Sequence, residues 1–132
     1  MVIFVDTSAL LALVDVSDEF HSQAFSTWEQ LLASDDTLVT NNYVIVESIS
    51  LAQRRVGMDA VRIIKQDITP YLDVDWMDEG THSSALDHVL SANRRSLSLV
   101  DRSSFDTMRR LEIEPVFSFD PHFREQGFSV IP

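Results

Sequence analysis

Four acidic residues, Asp6, Glu47, Asp101 and Asp120, occupy positions where a carboxylate needs a reason. Asp6 closes the apolar run VIFV and Asp120 closes VFSF, so each sits at the exit of a β-prone segment and ahead of helix-compatible sequence. In a parallel sheet, ligands bind beyond the carboxyl ends of the strands. Glu47 stands among Val44, Ile45, Val46, Ile49 and Leu51, and the positions three and four residues away (Tyr43, Val44, Ser50, Leu51) hold no basic partner. A lone ionised carboxylate buried in such a helix is costly. If the chain gathers the four acids, each pair about 4 Å apart repels by about 1 to 4 kcal/mol. Such a cluster takes up protons or a cation, and an all-oxygen donor set selects Mg²⁺ or Mn²⁺ over zinc.

Three of the four acids also have a structural role open to them. Asp6 can cap the helix that follows it, and Asp120-Pro121 matches a cap followed by proline at the first helical position. Ser98-Leu99-Val100-Asp101 has the spacing of a capping box. Capping and ligation are compatible, because the strand end that makes a good cap also opens a cleft. Thr7 and Ser8, in the turn after Asp6, can hydrogen-bond a carboxylate or a phosphate, or can simply start a helix. Arg102, Arg94 and Arg95 can meet phosphates or solvate helix surface.

Periodicity supplies the elements that must position these residues. Residues 2 to 5 read as a strand buried on both faces. Helix is expected from about 8 to 13 and from about 19 to 33, where Phe20, Ala24, Trp28, Leu31 and Leu32 recur at helical spacing. A short strand at Leu38-Val39 precedes NNYVIVESISLAQRR, an asparagine-capped helix carrying Glu47. A helix over 59 to 68 ends at Pro70, and YLDVDW alternates like a strand at a sheet edge. Helices at 79 to 93 and about 99 to 111, a strand at 115 to 118, a short helix after Asp120 and a last strand at 128 to 131 complete the chain. This alternation predicts the α/β class: a three-layer α/β/α sandwich with a mainly parallel central sheet.

The chain has 132 residues, 45% of them hydrophobic and 23% charged, which suits one domain spanning 1–132 with one core. The absence of cysteine excludes disulfides, thiolate nucleophiles and cysteine-built zinc sites. The apolar start lacks a basic leader and is broken by Asp6 and Asp15, so neither a signal peptide nor a membrane span is expected and the cytoplasm is the expected location. A net charge of −11 argues against indiscriminate nucleic-acid binding.

The ordered set VDTSAL, YVIVES, SLVDRSSF and FSFDPHF resembles the PIN domain family, particularly its small VapC-type toxins, over nearly the whole chain. The resemblance implies a Mg²⁺- or Mn²⁺-dependent endoribonuclease whose acidic constellation is Asp6, Glu47, Asp101 and Asp120. Asp6, Asp101 and Asp120 are the implied metal ligands, with Ser118, Thr7, Ser8 and Arg102 as supporting or phosphate-binding residues. It further implies a structured RNA substrate such as transfer or ribosomal RNA, a small antitoxin that occupies the site, and a homodimer. Many relatives have threonine where Ser118 stands, a small polar residue where Phe119 stands, and a further acid where this chain has His122. The missing fifth acid makes a one-metal site the more secure expectation.

Rival enzymes fail on residues. A response-regulator receiver needs an acidic pair near its start and a late lysine, whereas Lys65 is the only lysine; a haloacid-dehalogenase-type phosphatase needs an aspartate where Ser8 stands. The rival from another class is a non-catalytic PIN-like module that binds RNA or protein, which has no use for mutually repelling carboxylates. His21, His82 and His88 have no local mark of catalysis, and Phe20, Phe25 and Trp28 suit core or dimer contacts better than base stacking.

Overall fold

The computed structural model describes residues 1–132. Its centre is β1 (Val2–Val5), whose Ile3, Phe4 and Val5 are fully buried, as a strand covered on both faces requires. β1 pairs in parallel with β2 (Thr37–Asn41) on one side and with β4 (Pro115–Phe117) on the other. β3 (Leu72–Asp75) flanks β2 and β5 (Ser129–Ile131) flanks β4, both parallel, so the order is β3-β2-β1-β4-β5. The expected mainly parallel sheet is entirely parallel, and YLDVDW contributes the edge strand that its alternation predicts.

The helices are α1 (Thr7–Val14), α2 (His21–Ala33), α3 (Asn42–Arg55), α4 (Met58–Ile63), α5 (Glu79–Ala92), α6 (Leu99–Arg110) and α7 (His122–Glu125). The chain moves outward from β1 to β3 and then returns across β1 to β4 and β5. Right-handed crossovers therefore put the helices of the first half on one face of the sheet and those of the second half on the other, which gives the three layers. The reversal falls between β1 and β4, so the segments that leave their carboxyl ends turn to opposite faces of the sheet and open a crevice there.

Asn41 ties the two halves together. It caps α3 by accepting from Val44 N at 2.9 Å, and its amide donates to Ser103 Oγ at 3.2 Å and Thr107 Oγ1 at 3.1 Å on α6. One fully buried side chain thus fixes the helix bearing Glu47 relative to the helix bearing Asp101. The helix expected over 59 to 68 differs in detail. After Ile63 it widens into a π turn, Ile64–Ile68, in which Ile64 O accepts from both the backbone N and the hydroxyl of Thr69. Pro70, which has no N–H to continue the ladder, then begins the exit into β3. No helix is long and apolar enough to cross a membrane.

Candidate active site

Asp6 is buried at the first residue beyond β1, and it caps α1. Its Oδ2 accepts from Ser8 N at 3.3 Å, Ser8 Oγ at 2.7 Å and Ser118 Oγ at 3.0 Å. Each hydroxyl in turn accepts from the β4 side: Phe119 N donates to Ser8 Oγ and Asp120 N donates to Ser118 Oγ, both at 2.9 Å. A closed set of hydrogen bonds therefore locks the end of β1 to the end of β4. Ser8 and Ser118 hold Asp6 in one orientation through Oδ2. A serine serves at 118 because the bond needs only its hydroxyl.

Asp120 makes a turn in which Oδ1 accepts from His122 N at 2.9 Å, so α7 starts one residue later than a cap at Asp120 predicts. Asp101 lies in the first turn of α6 in the expected capping box, accepting from Ser98 N at 3.0 Å while Ser98 Oγ accepts from Asp101 N at 3.1 Å. Glu47 is half-buried on α3.

The four carboxyls share one field. Burial pushes Asp6 up to about 6 against the opposing Ser8 and Ser118 hydrogen bonds, and Asp120 adds to the rise. Burial also raises Glu47, which Thr7 counteracts and which Asp101 and Asp120 reinforce; Asp101 is raised by burial and then by Asp120 despite its bonds to Ser98. Asp120 thus disfavours ionisation of all three others. Thr7, only 6% exposed, sets its hydroxyl beside Glu47. Ligand atoms of Asp101, Asp120 and His122 all lie within 4.8 Å of one another. Converging carboxyls that resist ionisation and a compact donor trio fit a divalent cation.

The whole chain but its ends, residues 3–129, matches the PIN domain family. This chain belongs to the PIN domain family. Among curated proteins, the 23S rRNA-specific endonuclease VapC20 of Mycobacterium tuberculosis is 30% identical over 127 residues, covering 96% of this chain and 95% of the relative; it matches equally in strains CDC 1551 / Oshkosh and ATCC 25618 / H37Rv. Among solved structures, the crystal structure of that species' VapC20, described as a sarcin-ricin loop cleaving toxin, aligns with a TM-score of 0.84 at 28% identity, covering 96% of this chain and 95% of that one. Family, relative and fold bear out the endoribonuclease-toxin reading of the sequence.

Within this PIN domain the four acids and Thr7, Ser8 and Ser118 converge as expected. Arg102 does not join them: it is one residue from Asp101 but lines a groove with His88, Ser91, Asp106 and Arg109, because successive helical residues diverge by about 100°. Arg94 is paired with Glu125. Arg124 instead lines a pocket beside Asp120, together with Gln23 and the stacked pair Phe20 and Phe119, whose ring centroids are 4.7 Å apart. A second pocket is lined by Asn42, Tyr43, Val46, Val100 and Glu47 itself. His21 Nδ1 lies 2.7 Å from Ala12 O and ties α2 to α1, while His82 bonds Tyr43 and His88 pairs with Asp106, so none of the three reaches the acids. His122 is the residue sequence reasoning undervalued. The signal was its spacing, two residues after Asp120 at a helix start, where both side chains can turn toward one point.

Proposed function

We propose that this PIN domain is a divalent-metal-dependent endoribonuclease that cuts a structured loop of ribosomal RNA. The observation that carries the mechanism is the convergence of Asp6, Glu47, Asp101 and Asp120 at the crevice between β1 and β4. Asp6, Asp101 and Asp120 would hold Mg²⁺ or Mn²⁺. A bound dication supplies charge for the phosphoryl oxygens and acidifies water.

The protein's own residues do the rest. Ser8 and Ser118 keep Asp6 from rotating. Glu47, outside the donor trio and with its carboxyl raised, accepts the proton of the attacking water as that oxygen bonds to phosphorus, and the leaving ribose oxygen, its bond to phosphorus broken, takes up a proton from solvent. Arg124, exposed beside Asp120, meets a neighbouring phosphate. With a net charge of −11, the surface repels RNA in general, so affinity has to come from local fit and metal. That favours a narrow substrate over broad degradation.

The ribosomal target rests on VapC20, whose 23S rRNA specificity accompanies 30% identity across 96% of this chain. The reading includes a cytoplasmic homodimer held inactive by a small antitoxin whose basic segment enters the acidic crevice. The test is incubation of purified protein, freed of co-purifying partner, with ribosomes, a sarcin-ricin loop oligonucleotide and transfer RNA in Mn²⁺, followed by mapping of the new ends. One cut within the ribosomal loop is expected. Cleaved transfer RNA beside intact ribosomal RNA would overturn the target, and metal binding without cleavage of any RNA would favour the binding module.

A further inference from the structure

This inference rests on the divalent-metal reading above and goes on to the choice of ion. We infer that His122 is itself a metal ligand, and that its nitrogen makes this site select Mn²⁺ and related first-row transition dications over Mg²⁺.

Three observations converge. His122, Asp101 and Asp120 are the one trio of metal-ligating side chains whose donor atoms all fall within 4.8 Å, a span that a single ion bridges. The position is built rather than accidental. Pro121 fixes the backbone ahead of α7, and the bond from His122 N to Asp120 Oδ1 pins the residue against the acid. The imidazole Nδ1 is buried and lies 2.8 Å from Asp120 Oδ1, so a nitrogen and a carboxylate oxygen already stand at the spacing that neighbouring ligands of one ion take.

The chemistry then decides the ion. Mg²⁺ takes oxygen ligands, demands near-octahedral geometry and keeps its waters, whereas first-row transition ions accept an imidazole, and among them Mn²⁺ is the one that also suits the carboxylates around it. Replacing an acid by a neutral imidazole also removes one negative charge from the cluster. That weakens a hard, purely electrostatic ion more than one that bonds to nitrogen. His122 therefore changes the kind of site rather than merely depleting it.

The test is calorimetric titration of metal-free wild type, His122→Asp and His122→Ala with Mn²⁺ and with Mg²⁺, together with pulsed electron paramagnetic resonance of the Mn²⁺-loaded proteins. Circular dichroism checks that each variant is folded. Wild type is expected to bind one Mn²⁺ about tenfold or more tightly than Mg²⁺ and to show nitrogen coupling to the bound ion. His122→Asp should lose that coupling and bind Mg²⁺ more tightly than wild type does, narrowing the preference, while His122→Ala should lose the coupling and weaken Mn²⁺ binding. An unchanged preference in His122→Asp, or wild-type Mn²⁺ without nitrogen coupling, overturns the assignment and makes His122 a partner of Asp120 only. Failure of every folded variant to bind either ion overturns the metal reading itself.

Discussion

Asp120→Asn lowers the single-turnover rate of RNA cleavage by on the order of 10³-fold while leaving the protein folded. Asp120 is the acid whose charge opposes ionisation of Asp6, Glu47 and Asp101 alike, so it lies at the electrical centre of the cluster. Removing its charge strips the proposed cation of a ligand and at the same time relieves repulsion of about 1 to 4 kcal/mol for each close pair. Activity falls because the charge that attracted the ion is gone, and metal-free stability at neutral pH changes little, because the repulsion relieved offsets the lost pairing with His122 2.8 Å away. The fold survives because an asparagine oxygen can still accept from His122 N. Rapid-quench kinetics and urea unfolding of metal-free protein check the two halves. A variant that cleaves within a few-fold of wild type would remove Asp120 from the machinery.

Asp6→Asn has the largest expected effect on stability, and its sign depends on pH. The carboxyl of Asp6 has an ordinary value of 3.8 and is pushed up to about 6 in the folded protein, first by burial. A raised carboxyl contributes stability that is fully present below pH 4, where both states are protonated, and that is lost as pH rises through 6. At neutral pH the buried charge therefore costs the metal-free protein about 3 kcal/mol relative to acid pH. Asparagine keeps an acceptor for Ser8 and Ser118, retains the cap of α1, and never ionises. Metal-free Asp6→Asn is accordingly more stable than wild type at pH 8 by up to about 3 kcal/mol, and the gap closes toward pH 4.5. Cleavage is abolished throughout. Urea denaturation at both pH values in EDTA checks this. A variant less stable than wild type at pH 8 would mean that Asp6 is held ionised by something other than a bound cation.

The residues that position this site were legible to different depths. From local spacing alone Asp6 could be read as a cap and Asp101 as the acid of a capping box begun by Ser98, and both hold those positions; what spacing cannot supply is that the two capped helices start at one crevice, which depends on strand order. Glu47 was legible through its misfit, a carboxylate in an apolar stretch with no cation at helical spacing. The serine pair around Asp6 joins residues 110 positions apart, so the bonds follow from β1 and β4 being neighbours rather than from either motif. Arg102 misled because sequence adjacency to Asp101 is not adjacency on a helix. His122 was visible as a missing acid but not as a present nitrogen, since whether its ring turns toward Asp101 is decided by the turn at Asp120-Pro121. The stacking of Phe20 on Phe119 had no signal, because the two rings belong to distant segments.

The central claim is that the acids serve RNA hydrolysis through a divalent ion. It is tested most directly by incubating partner-free wild-type protein with ribosomal RNA in Mn²⁺, in Mg²⁺ and in EDTA, beside Asp101→Asn under the same conditions. Discrete fragments from wild type with metal, and none in EDTA or from Asp101→Asn, are the predicted result. Fragments that persist in EDTA, or that Asp101→Asn produces at the wild-type rate, would contradict it.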